Sequence, residues 1–112
     1  MNNLQGLLKD WRRTNYANQC NSEIAGSDVT VMGWVHEIRD FGGIMFVIIR
    51  DVTGRVQITA PSKKVEAEVL EQLRELRKES VVAIKGMAQE APKAPNGVEI
   101  LPKEVKILNL AN

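Results

Sequence analysis

From Val29 onward the chain alternates: Val29, Val31, Gly33 and Val35 fall on one face, and Thr30, Met32, Trp34 and His36 on the other. A period of two predicts a β-strand whose faces meet different surroundings. The run DFGG at 40–43 carries turn chemistry, and 44–50 reads as a second strand, too apolar for one free face unless that face is covered or used. DVTG at 51–54 makes the next turn and 55–60 a third strand. After Pro61-Ser62, with Ser62 as the N-cap, the period changes. Val65, Val69, Leu73 and Leu76 stand four, four and three residues apart, which predicts an amphipathic helix. Residues 81–86 return to β character, APKAPNG at 91–97 is a loop, 98–101 pair back, and 105–108 form a last strand. Upstream, Leu4, Leu7, Leu8 and Trp11 line one side of a helical turn or two within 4–12, weakened by Gly6, and the polar run 18–28 is a loop.

Three meandering strands, a helix, then two or more strands is the order of the five-stranded OB barrel. The expected fold is therefore mainly all-β: a Greek-key OB barrel with one helix between strands 3 and 4 and a short N-terminal helical extension. A ferredoxin-like α+β fold needs a helix between its first two strands, and DFGG leaves no room for one. The length of 112 residues suits one domain, 1–112, with 1–11 as the extension. At 44% hydrophobic and 26% charged residues, the chain has the composition of an ordinary globular protein.

A net charge of +1 announces no bulk field for a nucleic acid or membrane, so such binding would need a local patch. One cysteine, Cys20, excludes an internal disulfide and, with a single histidine, a conventional four-ligand zinc site. The chain start lacks the apolar region of a signal peptide, and no run of about 18 apolar residues is present, so a cytoplasmic protein with no membrane partner is expected. No nucleophile and base pair, phosphate loop or metal cluster is apparent, and the chain alone is expected not to be an enzyme and to hold no cofactor.

With Val47, Ile49, Val56, Ile58 and Val35 pointing into the barrel, strand parity turns Phe46, Ile48, Arg50, Arg55, Gln57, Thr59, Trp34 and His36 outward. An aromatic, an amide and arginines on one sheet face suit a single-stranded nucleic acid, because every base offers a π-face and arginines follow its backbone. A carboxamide such as Gln57, both donor and acceptor, matches the edge of uracil where cytosine would mismatch. The plainer alternatives stay open on pattern alone. Phe46 divides evenly between core filling and stacking platform, Gln57 can be a solvated strand residue, and Arg39, Arg50 and Arg55 beside Asp40 and Asp51 can be surface ion pairs of little worth.

The residues GWVHEIRDFGGIMFVIIRDVTGRVQIT at 33–59 resemble the N-terminal anticodon-binding domain of class IIb aminoacyl-tRNA synthetases, most of all the archaeal-type aspartyl enzymes. RRTNYANQ at 12–19, the helix and fourth strand, and the closing loop and strand are similar too, so the likeness spans nearly the whole chain. It implies a module that binds the anticodon stem-loop of tRNA. Phe46 would stack on the middle uridine, Gln57 would hydrogen-bond the same base, and Arg39 would address the third anticodon base. Glu99 would stand near the first base, where a carboxylate accepts from both N–H groups of a guanine edge. Archaeal-type enzymes restricted to aspartate tRNA tend to carry Trp and Lys where this chain has His36 and Pro95. These two types resemble the non-discriminating subtype, which accepts aspartate and asparagine tRNAs. The resemblance further implies a homodimeric parent ligase whose ATP and Mg²⁺ chemistry lies in a separate C-terminal domain. A free-standing OB protein that binds single strands indiscriminately, or binds another protein, is the competing class.

Overall fold

The alternation at residues 29–35 becomes β1 (Asp28–Asp40), which turns through DFGG into β2 (Ile44–Asp51) and then into β3 (Gly54–Pro61). The helix α1 (Ala67–Glu75) follows, then β4 (Val81–Glu90) and β5 (Val98–Asn109). The strands close into a barrel in the order β1-β2-β3-β5-β4, antiparallel throughout except for the parallel β3–β5 pairing. Closure leaves little free edge, and the order is the OB arrangement expected from the sequence. The structure, a computed structural model, describes residues 11–111. Among these no helix is long and apolar enough to cross a membrane.

Val35, Val47, Ile49, Val56 and Ile58 are buried in the barrel, as parity required. Ile84 and Ile100 complete the interior from β4 and β5, and α1 contributes Val69, Leu70 and Leu73 to the same core. Burying each such side chain stabilises the fold by about 1.5–3 kcal/mol.

The helix starts later than the sequence predicts. Ser62 lies in a turn, and the N-cap is Glu66, which makes no side-chain cap bond. What fixes the entry is apolar: Val65 and Leu70, both buried, occupy the two positions of a hydrophobic staple across that cap.

The fourth and last strands are longer than expected. Gly86 looked like a strand end, yet β4 runs through it, because β5 bulges there and skips from Pro102 to Glu104 opposite Gly86 and Lys85. A Cβ on Gly86 would lie 2.3 Å from the Leu101 carbonyl oxygen, so only glycine permits this approach. The bulge also accommodates Pro102, whose missing N–H would break a regular ladder. Hence 98–101 and 105–108 are one strand.

The helix expected within 4–12 falls mostly outside the described residues, and residues 11–16 carry none. They run beside β1, with the Thr14 amide donating to the Thr30 carbonyl at 3.0 Å and the Thr30 amide to Thr14 Oγ1 at 2.8 Å. The segment before β1, read as a loop over 18–28, contains two short 3₁₀ turns, Ala17–Gln19, which starts one residue earlier, and Ser22–Ile24. The first is latched by Asp51, whose Oδ2 accepts from the Ala17 amide at 2.8 Å while Oδ1 accepts from the Thr53 amide and hydroxyl at 2.8 and 2.6 Å. Burial alone would raise the Asp51 pKa, but these bonds and one from the Gly54 amide hold it below the ordinary 3.8.

Candidate nucleic-acid interface

The outer face begins with an irregularity in β1. Val35 pairs with Ile49, but the next partners are Glu37 with Ile48, Ile38 with Val47 and Arg39 with Phe46, so His36 is an extra, bulged residue. Unbroken alternation would send Arg39 to the interior side with Val35. The bulge reverses parity beyond it, tucks Ile38 against the core and brings Glu37 and Arg39 out beside Ile48 and Phe46.

Two adjoining depressions mark this face. One, of about 370 Å³, is lined by Glu37, Arg39, Phe41, Phe46, Ile48, Arg55, Gln57 and Pro95. The other, of about 480 Å³, is lined by Phe46, Gln57, the loop residues Ala91 to Ala94, and Glu99. Phe46 and Gln57 are common to both, so an aromatic ring and a carboxamide stand where the two spaces meet. Volumes of this order suit a small planar ligand or one unit of a larger one.

Phe46 is half-buried and meets Phe41 edge to face, with ring centroids 6.1 Å apart and planes at 74°. Phe41 is 66% exposed, in a turn pinned by Asp40: Oδ1 accepts from the Gly42 amide at 2.8 Å and Oδ2 faces Arg74 at 3.4 Å. The sequence placed Phe41 only within the DFGG turn, and a second ring at the site was missed. Its only signal was a large apolar side chain in a turn that offers no core to enter. The Arg39 guanidinium is paired with the Glu37 carboxylate two residues earlier on the same face. Arg55 in the first depression and Lys93 in the second complete the basic lining, whereas Arg50, though outward, lies beside Trp34 and outside both depressions.

Between β3, β4 and β5 runs a chain of polar side chains. Gln57 Nε2 donates to Thr59 Oγ1 at 3.0 Å, Thr59 Oγ1 donates to Glu99 Oε1 at 2.7 Å, and Gln89 Nε2 donates to Glu99 Oε2 at 2.7 Å. Glu99 stands level with Gln57 across β3–β5 and with Gln89 across β4–β5. Thr59, expected to face outward, is on that side but only 4% exposed, and its hydroxyl is satisfied by this chain.

Over one rim, residues 91–97 fold on themselves, with amide-to-carbonyl bonds from Ala91 to Gly97 and from Ala94 to Ala91 at 3.0 and 2.9 Å. Asn96, at φ 62°, donates from its side chain to the carbonyls of Arg55 and Ala17 at 3.4 and 3.5 Å, which holds Pro95 at the first depression. The structure therefore gathers Arg39, Phe46, Gln57 and Pro95 in one place and sets Glu99 beside them. It does not bring His36 into either lining. Among the described residues no group of three or more His, Cys, Asp or Glu side chains could hold a metal ion.

Residues 29–108, which include every side chain of this face, match the family described as the OB-fold nucleic acid binding domain. The chain belongs to that family. The sequence of this OB-fold domain is 56% identical over 105 residues to the aspartate–tRNA(Asp/Asn) ligase of Methanothermobacter thermautotrophicus, a match covering 94% of the chain and 24% of the relative. The resemblance read from residues 33–59 is borne out. The OB-fold domain spans about a quarter of the length of the curated relatives it matches. Among solved structures, it is similar to asparaginyl-tRNA synthetase from Pyrococcus horikoshii complexed with asparaginyl-adenylate, with a TM-score of 0.83 and 27% identity over 91% of this chain and 23% of that one. It is also similar to an OBody bound to hen egg-white lysozyme, with a TM-score of 0.84 and 31% identity over 89% of this chain and 96% of that one.

Proposed function

We propose that this OB-fold domain is the anticodon-reading, non-catalytic part of an aspartate–tRNA(Asp/Asn) ligase. The observation that carries the reading is the meeting of Phe46 and Gln57 at the junction of two depressions, on a chain whose similar relatives are such ligases. A base laid on Phe46 gains about 1–3 kcal/mol from stacking, and the Gln57 carboxamide lies within the same lining to read its edge. The middle uridine of the anticodon is the base assigned to that position. Its neighbours then fall into the two depressions, the third base on the side of Arg39 and the first on the side of Glu99. A guanine there offers two N–H groups, which suit a carboxylate.

Pro95 at the rim and His36 in the bulge are the proposed determinants of tolerance at the third base. A proline in place of a cation removes a charged contact, so GUC and GUU anticodons are both accepted. The rest of the ligase carries out the ATP- and Mg²⁺-dependent chemistry as a cytoplasmic homodimer, and this domain supplies affinity and identity. A free-standing domain that binds any single strand is less well supported. Such binders rely on a basic groove, whereas the net charge here is +1 and Arg39 is matched by Glu37.

The test is a binding comparison of stem-loops bearing GUC, GUU and a scrambled triplet at one fixed salt concentration. GUC and GUU binding alike and well above the scrambled loop is the expected result. Equal binding of all three would remove anticodon reading, and strong GUC with weak GUU binding would remove the non-discriminating part.

A further inference from the structure

The polar chain on the outer face has a direction that its chemistry dictates. A glutamate carboxylate only accepts hydrogen bonds, so the Thr59 hydroxyl, 2.7 Å from Glu99 Oε1, must spend its one proton there. Its oxygen is then left with lone pairs alone towards Gln57, and only the amide nitrogen of Gln57 satisfies it at 3.0 Å. The same rule turns the nitrogen of Gln89 towards Glu99 Oε2 at 2.7 Å. The orientation of the Gln57 carboxamide, which is otherwise free to flip by 180°, is thus fixed by three side chains behind it. Its oxygen and its second N–H are left for a ligand.

That orientation decides which pyrimidine fits. Uracil presents an N–H between two carbonyl oxygens, whereas cytosine presents a bare ring nitrogen beside an amino group. A carboxamide held in one orientation aligns its oxygen with the uracil N–H and its N–H with a carbonyl. The same alignment sets oxygen against the lone pair of cytosine N3. A carboxamide free to flip satisfies either base.

We propose that Thr59 and Gln89 are positioning residues that, through Glu99, lock the Gln57 carboxamide with its oxygen outward, and that this lock confers the preference for uracil over cytosine at the Phe46 position. The proposal rests on the anticodon reading given above and deepens it: Gln57 supplies the contact, and the chain behind it supplies the selectivity. Thr59 is well placed for the task. It is 4% exposed, lies within β3 and neighbours Phe46 across β2–β3, so its hydroxyl is held by the barrel itself. The lock also ties the middle-base contact to Glu99, the carboxylate assigned to the neighbouring base.

The experiment measures binding of GUC and GCC stem-loops to the chain and to Thr59→Val, Thr59→Ser and Gln89→Leu, with thermal melts run alongside. Thr59→Val keeps the side-chain shape and loses the hydroxyl. It is expected to lower the GUC-to-GCC affinity ratio about tenfold, the order of one well-made polar contact. Most of that change should come from stronger GCC binding. Thr59→Ser should restore the ratio, and Gln89→Leu, which frees the far end of the chain, should lower it less. The side-chain amide signals of Gln57 in the ¹H–¹⁵N spectrum of the unbound chain should shift and lose exchange protection in Thr59→Val but not in Thr59→Ser. A ratio that survives intact in folded Thr59→Val overturns the lock while leaving anticodon reading in place. Should Thr59→Val fail to fold, an unchanged ratio in Gln89→Leu does the same. An unmutated chain that binds GUC and GCC alike overturns both.

Discussion

Phe46 is the residue on which the proposed reading turns, and period two brought it only halfway to an assignment. Alternation along 44–50 set it opposite Val47 and Ile49, which are buried, so its outward direction was legible. Its use was not, because an outward phenylalanine is equally at home under a covering loop. The structure leaves it half-buried with Phe41 edge-on, an arrangement that fixes the ring and keeps part of it open. Phe46→Ala is expected to weaken GUC stem-loop binding by about 1–3 kcal/mol with the melting temperature nearly unchanged. A variant that unfolds instead would show that the ring is core. Arg39 was harder to place from sequence. Counting by two from Val29 gives it the wrong face, and only the extra residue at His36 corrects the count. Alternation carries no mark of a bulge, so nothing but the resemblance singled out Arg39 beforehand. Thr59 and Gln89 went unassigned because their roles arise from strands joined by closure, a non-local pairing that local pattern does not encode.

At the scale of elements, the sequence predicted what repeats and missed what interrupts. The three-stranded meander, the helix between β3 and β4 and the final β region all follow from periodicity and turn residues. Gly86 and Pro102 misled, since a glycine and a proline usually end strands, whereas here each serves a bulge that bends β4 against β5. The start of α1 was misread for a similar reason. Ser62 looks like an N-cap, yet the cap position is Glu66 and the entry is fixed by Val65 and Leu70. Ser62→Ala should therefore change stability by less than about 0.5 kcal/mol, as for an ordinary surface substitution, where loss of a true serine cap costs about 1 kcal/mol. Denaturant unfolding of the two chains distinguishes these values.

The molecule as a whole joins its barrel to the segment before β1 through Asp51, and this joint sets a pH dependence. Burial opposes the charge, but hydrogen bonds from Thr53, Ala17 and Gly54 outweigh it and depress the carboxyl pKa below 3.8. A depressed folded value means that the contribution is present above the unfolded pKa and is lost as pH falls through the folded one. Asp51→Asn is thus expected to be less stable than the unmutated chain at pH 7, with the gap closing below about pH 4 in denaturant titrations. At the other extreme, burial and then the Asp51 charge push the Cys20 thiol up to about 11 from 9.0. The raised value carries stability that is full below pH 9.0 and declines between there and about 11. Neither Asp51 nor Cys20 lines the two depressions of the proposed face.

Whether one face of the barrel reads an anticodon is tested by titrating the isotopically labelled chain with a GUC stem-loop and mapping which amide and side-chain signals move. Shifts are expected to concentrate at Arg39, Phe41, Phe46, Gln57, Thr59 and Glu99, with much smaller ones for a scrambled loop at the same salt. Shifts centred instead on Met32, Trp34, Val81 and Leu108, which line a separate depression, or identical shifts with both loops, would contradict anticodon reading by this face.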